Sequence, residues 1–129
     1  MPPIEQLQRP ELVYVDKLLK QGILTTGLLL EVSETPTRRQ YLADQIDATT
    51  NDVNEWRDEA LLLNLASFGP ADKQLLLQAG IVGLHDLLEL SLDEFRARVA
   101  EAARILQVAI PSDLQLEGWW EQARTLEEE

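Results

Sequence analysis

The chain repeats itself. Leu18 to Ser33 read LLKQGILTTGLLLEVS, and Leu76 to Ser91 read LLQAGIVGLHDLLELS. At a constant offset of 58 residues, Leu18/Leu76, Leu19/Leu77, Gly22/Gly80, Ile23/Ile81, Leu29/Leu87, Leu30/Leu88, Glu31/Glu89 and Ser33/Ser91 are identical, eight of sixteen positions. Each copy reads as a helix, a glycine stop and a second short amphipathic helix. Glycine directly after a helical apolar stripe marks a C-cap, because the left-handed backbone needed there costs glycine no Cβ clash. One copy alone has too small a core. The Leu stripes of two copies are therefore expected to bury against each other, as halves of one pseudo-two-fold domain spanning residues 1–129.

The rest of the chain agrees with an all-α fold. Hydrophobic residues make up 45% of it but aromatics only 5%, so the core is aliphatic, mostly Leu and Ala, both strong helix formers. The apolar stretches recur near 3.6 residues, and none alternates as a strand does. Cysteine is absent, which excludes disulfides and thiolate metal sites. No apolar run approaches the roughly 20 residues of a membrane span. The start, MPPIEQLQRPE, lacks the basic and apolar regions of a secretory signal, so a cytoplasmic location is the default expectation.

The net charge is −12, unevenly spread: residues 1–50 hold seven acids and five bases, and residues 51–129 sixteen acids and six bases. Such a surface repels DNA and anionic lipid at long range. It suits a basic protein partner, or simple solubility.

Along the chain, Pro2 and Pro3 suggest a flexible start. Leu12, Val15, Leu18 and Leu19 predict a helix from about Glu11 to Gln21, closed by Gly22. Thr25 or Thr26 caps a short helix through Leu30. Thr35-Pro36 opens a third, to about Ile46, with Tyr41, Leu42 and Ile46 inward. Thr49 to Asp52 cap a helix carrying Val53 and Trp56, and Ala60 to Ala66 form a separate apolar helix broken at Phe68-Gly69-Pro70. Helices follow over Asp72–Ala79, Leu84–Leu90 and Leu92–Leu106, the last opened by a Ser91/Glu94 capping box. Ser112 or Asp113 caps a final helix through Trp119 and Trp120, and Glu127-Glu128-Glu129 reads as a frayed tail. The repeat spans about residues 10–50 and 60–108, with a C-terminal helix at about 112–126.

The segment LLNLASFGPADKQLLLQAGIVGLHDLLELSLDEFRARVA resembles a helix-hairpin-helix domain. The whole chain, from about residue 10 to 125, resembles the DUF4332 family, with two such units in tandem. The resemblance rests on the glycine-isoleucine step, the segment Thr35 to Ala43, Trp56 before the second hairpin, and a late proline before Trp120-Glu121-Gln122-Ala123-Arg124. It implies architecture and carries no biochemical role. DNA-binding hairpins turn on a Gly-apolar-Gly step; here the second copy has Ser67-Phe68-Gly69 and the first Arg9-Pro10-Glu11.

Several residues invite function. At the second turn, Phe68, Gly69 and Lys73 form the nucleic-acid candidate, since turn N–H groups and a helix N-terminus attract phosphate. Against it, Asp72 adjoins Lys73, Pro70 has no N–H, and phosphate binding needs several cations. His85 is the only histidine and anchors no typical metal site alone. Glu31, Glu89, Asp93 and Glu94 form no ligating constellation and read as solvated faces or helix-dipole partners. Arg38, Arg39, Arg96 and Arg98 are the basic spots; Arg39 falls on Arg96 at an offset of 57. They either fork onto an anionic partner or pair with the chain's own acids. Trp56, Trp119 and Trp120 are the aromatic candidates for a partner interface. Trp119 and Trp120 point about 100° apart on a helix, so both cannot face one core line.

These readings converge on a non-catalytic protein, with no cofactor and no metal. It is expected to bind another protein through an acidic helical surface, as an adaptor or assembly factor, and a homo-oligomer stays open. The alternative is a nucleic-acid-binding module that grips the phosphate backbone without sequence specificity.

Overall fold

Local signals set most helix starts. Thr25, Thr35, Thr49, Ser91 and Ser112 each stand in extended backbone, and each side chain accepts the N–H three residues on. That bond satisfies a donor the first turn leaves bare. The structure is a computed structural model that describes residues 2–126; Glu127-Glu128-Glu129 lie outside the described residues. Among these it is all-α. A single 3-10 turn at Ile4–Gln6 precedes eight helices: α1 (Leu12–Lys20), α2 (Thr26–Val32), α3 (Pro36–Ile46), α4 (Thr50–Leu63), α5 (Pro70–Gln78), α6 (Leu84–Leu88), α7 (Leu92–Leu106) and α8 (Asp113–Thr125). The chain divides into two compact units, the first ending at Asn64 and the second beginning at Leu65.

In the first unit, α4 is the central element, and α2 and α3 pack on it. Its turn from Trp56 to Ala60 is buried on every side. Trp56 meets the Tyr14 ring of α1 at 5.3 Å between centroids. In the second unit, α8 takes that place: α6 and α7 pack on it, and α5 packs on α7. Leu116, Trp119 and Ala123 are its buried face.

The repeated glycines close matching corners. Gly22 and Gly80 both have φ of +81°. After them the Ile23 N–H donates to Leu18 O at 3.0 Å, and the Ile81 N–H to Leu76 O at 2.8 Å, the long return bond of a Schellman cap. Ile23 and Ile81 are both buried beyond the turn.

Four expectations need correction. Pro2-Pro3 is not loose: Thr26 N–H donates to Pro2 O at 3.0 Å, and Ile4 beyond it is fully buried. Tyr41 does not face inward but is 67% exposed, because α3 turns only Leu42, Ala43 and Ile46 to the core. The helices drawn over Val53–Trp56 and Ala60–Ala66 are one, α4, which stops at Leu63. α5 opens at Pro70 rather than Asp72, with proline in a first turn where no N–H is needed.

Candidate functional site

The turn before each unit's first helix is where a phosphate-binding hairpin would bare its N–H groups. In the first unit Gln8 N–H and Arg9 N–H donate to the two oxygens of Glu59, at 2.8 and 3.0 Å. Glu59 is a 1% exposed residue of α4, and its neighbour Asp58 accepts from Arg9 Nη1 at 2.8 Å. Arg57, also buried, donates to Leu30 O and Ser33 Oγ at the end of α2. Three successive ionisable residues are thus held inside the unit by pairing and hydrogen bonds, as buried charges must be.

The second unit spends its turn the same way. Ala66 N–H donates to Gln122 Oε1 at 2.9 Å, and Ala66 O accepts from the Trp119 indole at 3.0 Å. Gly69 N–H donates to Asp72 Oδ2 at 2.9 Å. Gly69 has φ of −107°, which any residue adopts, and a Cβ there would meet nothing closer than 3.8 Å. Neither backbone conformation nor crowding by the protein's own atoms requires glycine at this position. Phe68 stacks edge-on against Trp119 at 5.2 Å. Lys73 is half-buried on the first turn of α5.

The tryptophans are absorbed into these frameworks. Trp56 and Trp119 are buried. Trp120 is half-buried, its indole N–H donates to Leu90 O at 2.9 Å, and the Arg124 guanidinium lies 3.4 Å from its ring centre. That stack resolves the angular conflict of adjacent tryptophans: one ring fills the core and the other is roofed by an arginine.

The arginines mostly meet the chain's own groups. Arg39 donates to Ser33 O at 2.9 Å and Glu34 O at 3.3 Å. Arg96 lies within 4.0 Å of Asp93, Asp113 and Glu117. Arg98 is exposed, with Nη1 3.8 Å from where a Gly80 Cβ would stand. Arg38 is exposed and sits 3.8 Å from Glu34. The Ser91 backbone N–H and hydroxyl hold the Glu94 carboxyl below the ordinary carboxylate range. The Arg104 guanidinium does the same to Glu101. His85 is exposed on α6.

Two surfaces emerge that residue types alone did not mark. In the first unit, a groove of about 520 Å³ runs over Ile23, Val32 and Leu42, with Tyr41 on its wall and Arg38 at its edge. In the second, exposed Ile105, Leu106, Val108, Ile110 and Leu114 cluster within ten residues. The signal for the second was present: no ionisable residue stands between Arg104 and Asp113. The groove carries no such signal, because Tyr41 sits in a helical pattern that suits either face.

Comparison with known proteins bears on the family and not on the activity. No curated protein and no solved structure matches the chain. A family model described as a domain of unknown function matches residues 11–126, nearly the whole length from α1 to the end of α8. The chain belongs to the DUF4332 family.

Proposed function

We propose that this chain is a non-catalytic protein-interaction module whose docking face is the Tyr41 groove of the first unit. The observation that carries the reading is where the turns spend their N–H groups. Glu59, Gln122 and Asp72 accept the donors that a phosphate would need. A carboxylate already seated there repels a second anion, and a net charge of −12 keeps nucleic acid away at long range. The groove instead offers an apolar floor under an exposed aromatic, the composition of an interface anchor. The fitting partner inserts an apolar side chain there and carries basic groups around it, matched to the acidic body.

The test has two arms. A photo-crosslinking residue at position 41 should capture a protein partner in the cell of origin. Tyr41→Glu should abolish co-purification of that partner while leaving the fold intact, since the side chain is 67% exposed. In the other arm, duplex DNA should not bind at physiological salt. Micromolar DNA binding weakened by Lys73→Ala would overturn the reading in favour of the nucleic-acid alternative.

A further inference from the structure

The two units handle the same junction differently. In the first, α3 ends at Ile46 with Asp47 in the left-handed conformation (φ 56°), and the next N-cap is Thr49. One residue, Ala48, lies between. In the second, α7 ends at Leu106 with Gln107 left-handed (φ 57°), and the next N-cap is Ser112. Four residues, Val108-Ala109-Ile110-Pro111, lie between. α7 is also longer, at 15 residues against 11 for α3.

The added length does not go into the core. Val108 is 52% exposed and Ile110 54%, and Ile105, Leu106 and Leu114 beside them are exposed too. The segment flanks a second groove with a mostly apolar wall of Ala71, Leu75, Leu106, Val108, Ala109 and Pro111 and a polar edge of Asp72 and Gln74. One stretch of chain therefore supplies both projecting aliphatic side chains and the hollow that such side chains fill. A surface that is knob and hole at once is complementary to itself, which is the requirement of an isologous two-fold contact.

Charge limits where two copies can meet. Two bodies of net charge −12 repel, and the uncharged run from Ile105 to Ser112 is the stretch where that repulsion is weakest, with Asp72 at the groove edge the nearest opposing carboxylate. The run ends in Arg104 on one side and Asp113 on the other, with side chains 71% and 86% exposed. Arg104 bonds Glu101 and Asp113 lies 3.7 Å from Arg96 within the chain, and an antiparallel pair of runs would add a second, opposite charge to each exposed flank. We propose that two copies of this chain associate through the segment 105–114, about a two-fold axis, with Val108 and Ile110 seated in the opposing groove. This contact uses a different surface from the Tyr41 groove, so either proposal can fail alone.

Sedimentation equilibrium on the full chain tests it. The expected result is a concentration-dependent dimer whose dissociation constant rises about tenfold or more with Val108→Asp, a loss of roughly 1.4 kcal/mol. Tyr41→Glu should leave the dimer unchanged. Arg104→Glu and Asp113→Arg should each weaken self-association, the first by facing acid with acid and the second base with base. Mixing those two variants should restore a dimer, now between unlike copies, because each offers the charge the other lacks. A chain that stays monomeric to about 0.5 mM, far above the micromolar range of ordinary complexes, would overturn the proposal. So would a dimer indifferent to Val108→Asp, or variants that fail to pair on mixing.

Discussion

Corresponding positions of the two units carry unlike chemistry. Thr49 and Ser112 cap the last helix of each unit, and counting from them, Val53 matches Leu116, Trp56 matches Trp119, Glu59 matches Gln122 and Ala60 matches Ala123, all at an offset of 63. Both Glu59 and Gln122 accept from the turn before their unit's first helix. Arg57 and Trp120, again 63 apart, both donate to carbonyls at the end of the short second helix. The first unit does these jobs with buried charges, the second with an amide and an indole. The difference teaches that the framework needs an acceptor and a donor at those places, and that charge is one of two ways to provide them.

The comparison breaks most readily at the charged end. Glu59→Ala leaves the Gln8 and Arg9 backbone N–H groups without their acceptor, and should cost about 3 kcal/mol. Gln122→Ala removes one neutral bond from a half-buried side chain and should cost about 1 kcal/mol. Urea unfolding followed by tryptophan fluorescence measures both, with Trp56 reporting the first unit and Trp119 and Trp120 the second. Equal costs would mean that the two chemistries are interchangeable in strength as well as in place.

At the glycine corners the units should behave alike. Gly22→Ala and Gly80→Ala each force an L side chain to φ of +81° and should each cost about 1–2 kcal/mol. Neither Cβ meets an atom closer than 3.8 Å, so conformation rather than crowding sets the penalty. Matching losses in the same unfolding experiment would support equivalent corners, and a twofold disparity would not.

The smallest effect concerns pH. α7 opens with a capping box in which the Glu94 carboxylate accepts the Ser91 N–H, whereas α3 has Arg38 at that third position. Glu94 has its pKa lowered by folding, so its contribution is present above the ordinary carboxylate range and is lost as pH falls through the folded value. Amide protection at the start of α7 should drop in acid, while that at the start of α3, capped by Thr35 alone, should not change through this device. Ser91→Ala should flatten the dependence in α7.

What could be read from sequence was local. The two glycine stops, the Ser91/Glu94 box and the bounds of α3 and α7 each depend on residues within a turn of one another. The Glu59 contacts span about fifty residues, and an acid in the run Arg57-Asp58-Glu59 looks the same whether solvated or clamped. Trp119 and Trp120 were ambiguous for the same reason: only the partner at Ala66 and the stack from Arg124 decide which ring is inside. The charged turn of α4 interrupts the apolar pattern and makes one helix read as two, although those charges are buried and paired.

The extra three residues between Gln107 and Ser112 have a further meaning. A bridge that hangs outside the packed interior is under little obligation to it. Its composition can drift, lengthen or swap polarity while the helices on either side keep their register. The domain thus has one spot where its surface chemistry can be retuned cheaply, and another, at Ala48, where it has almost no slack.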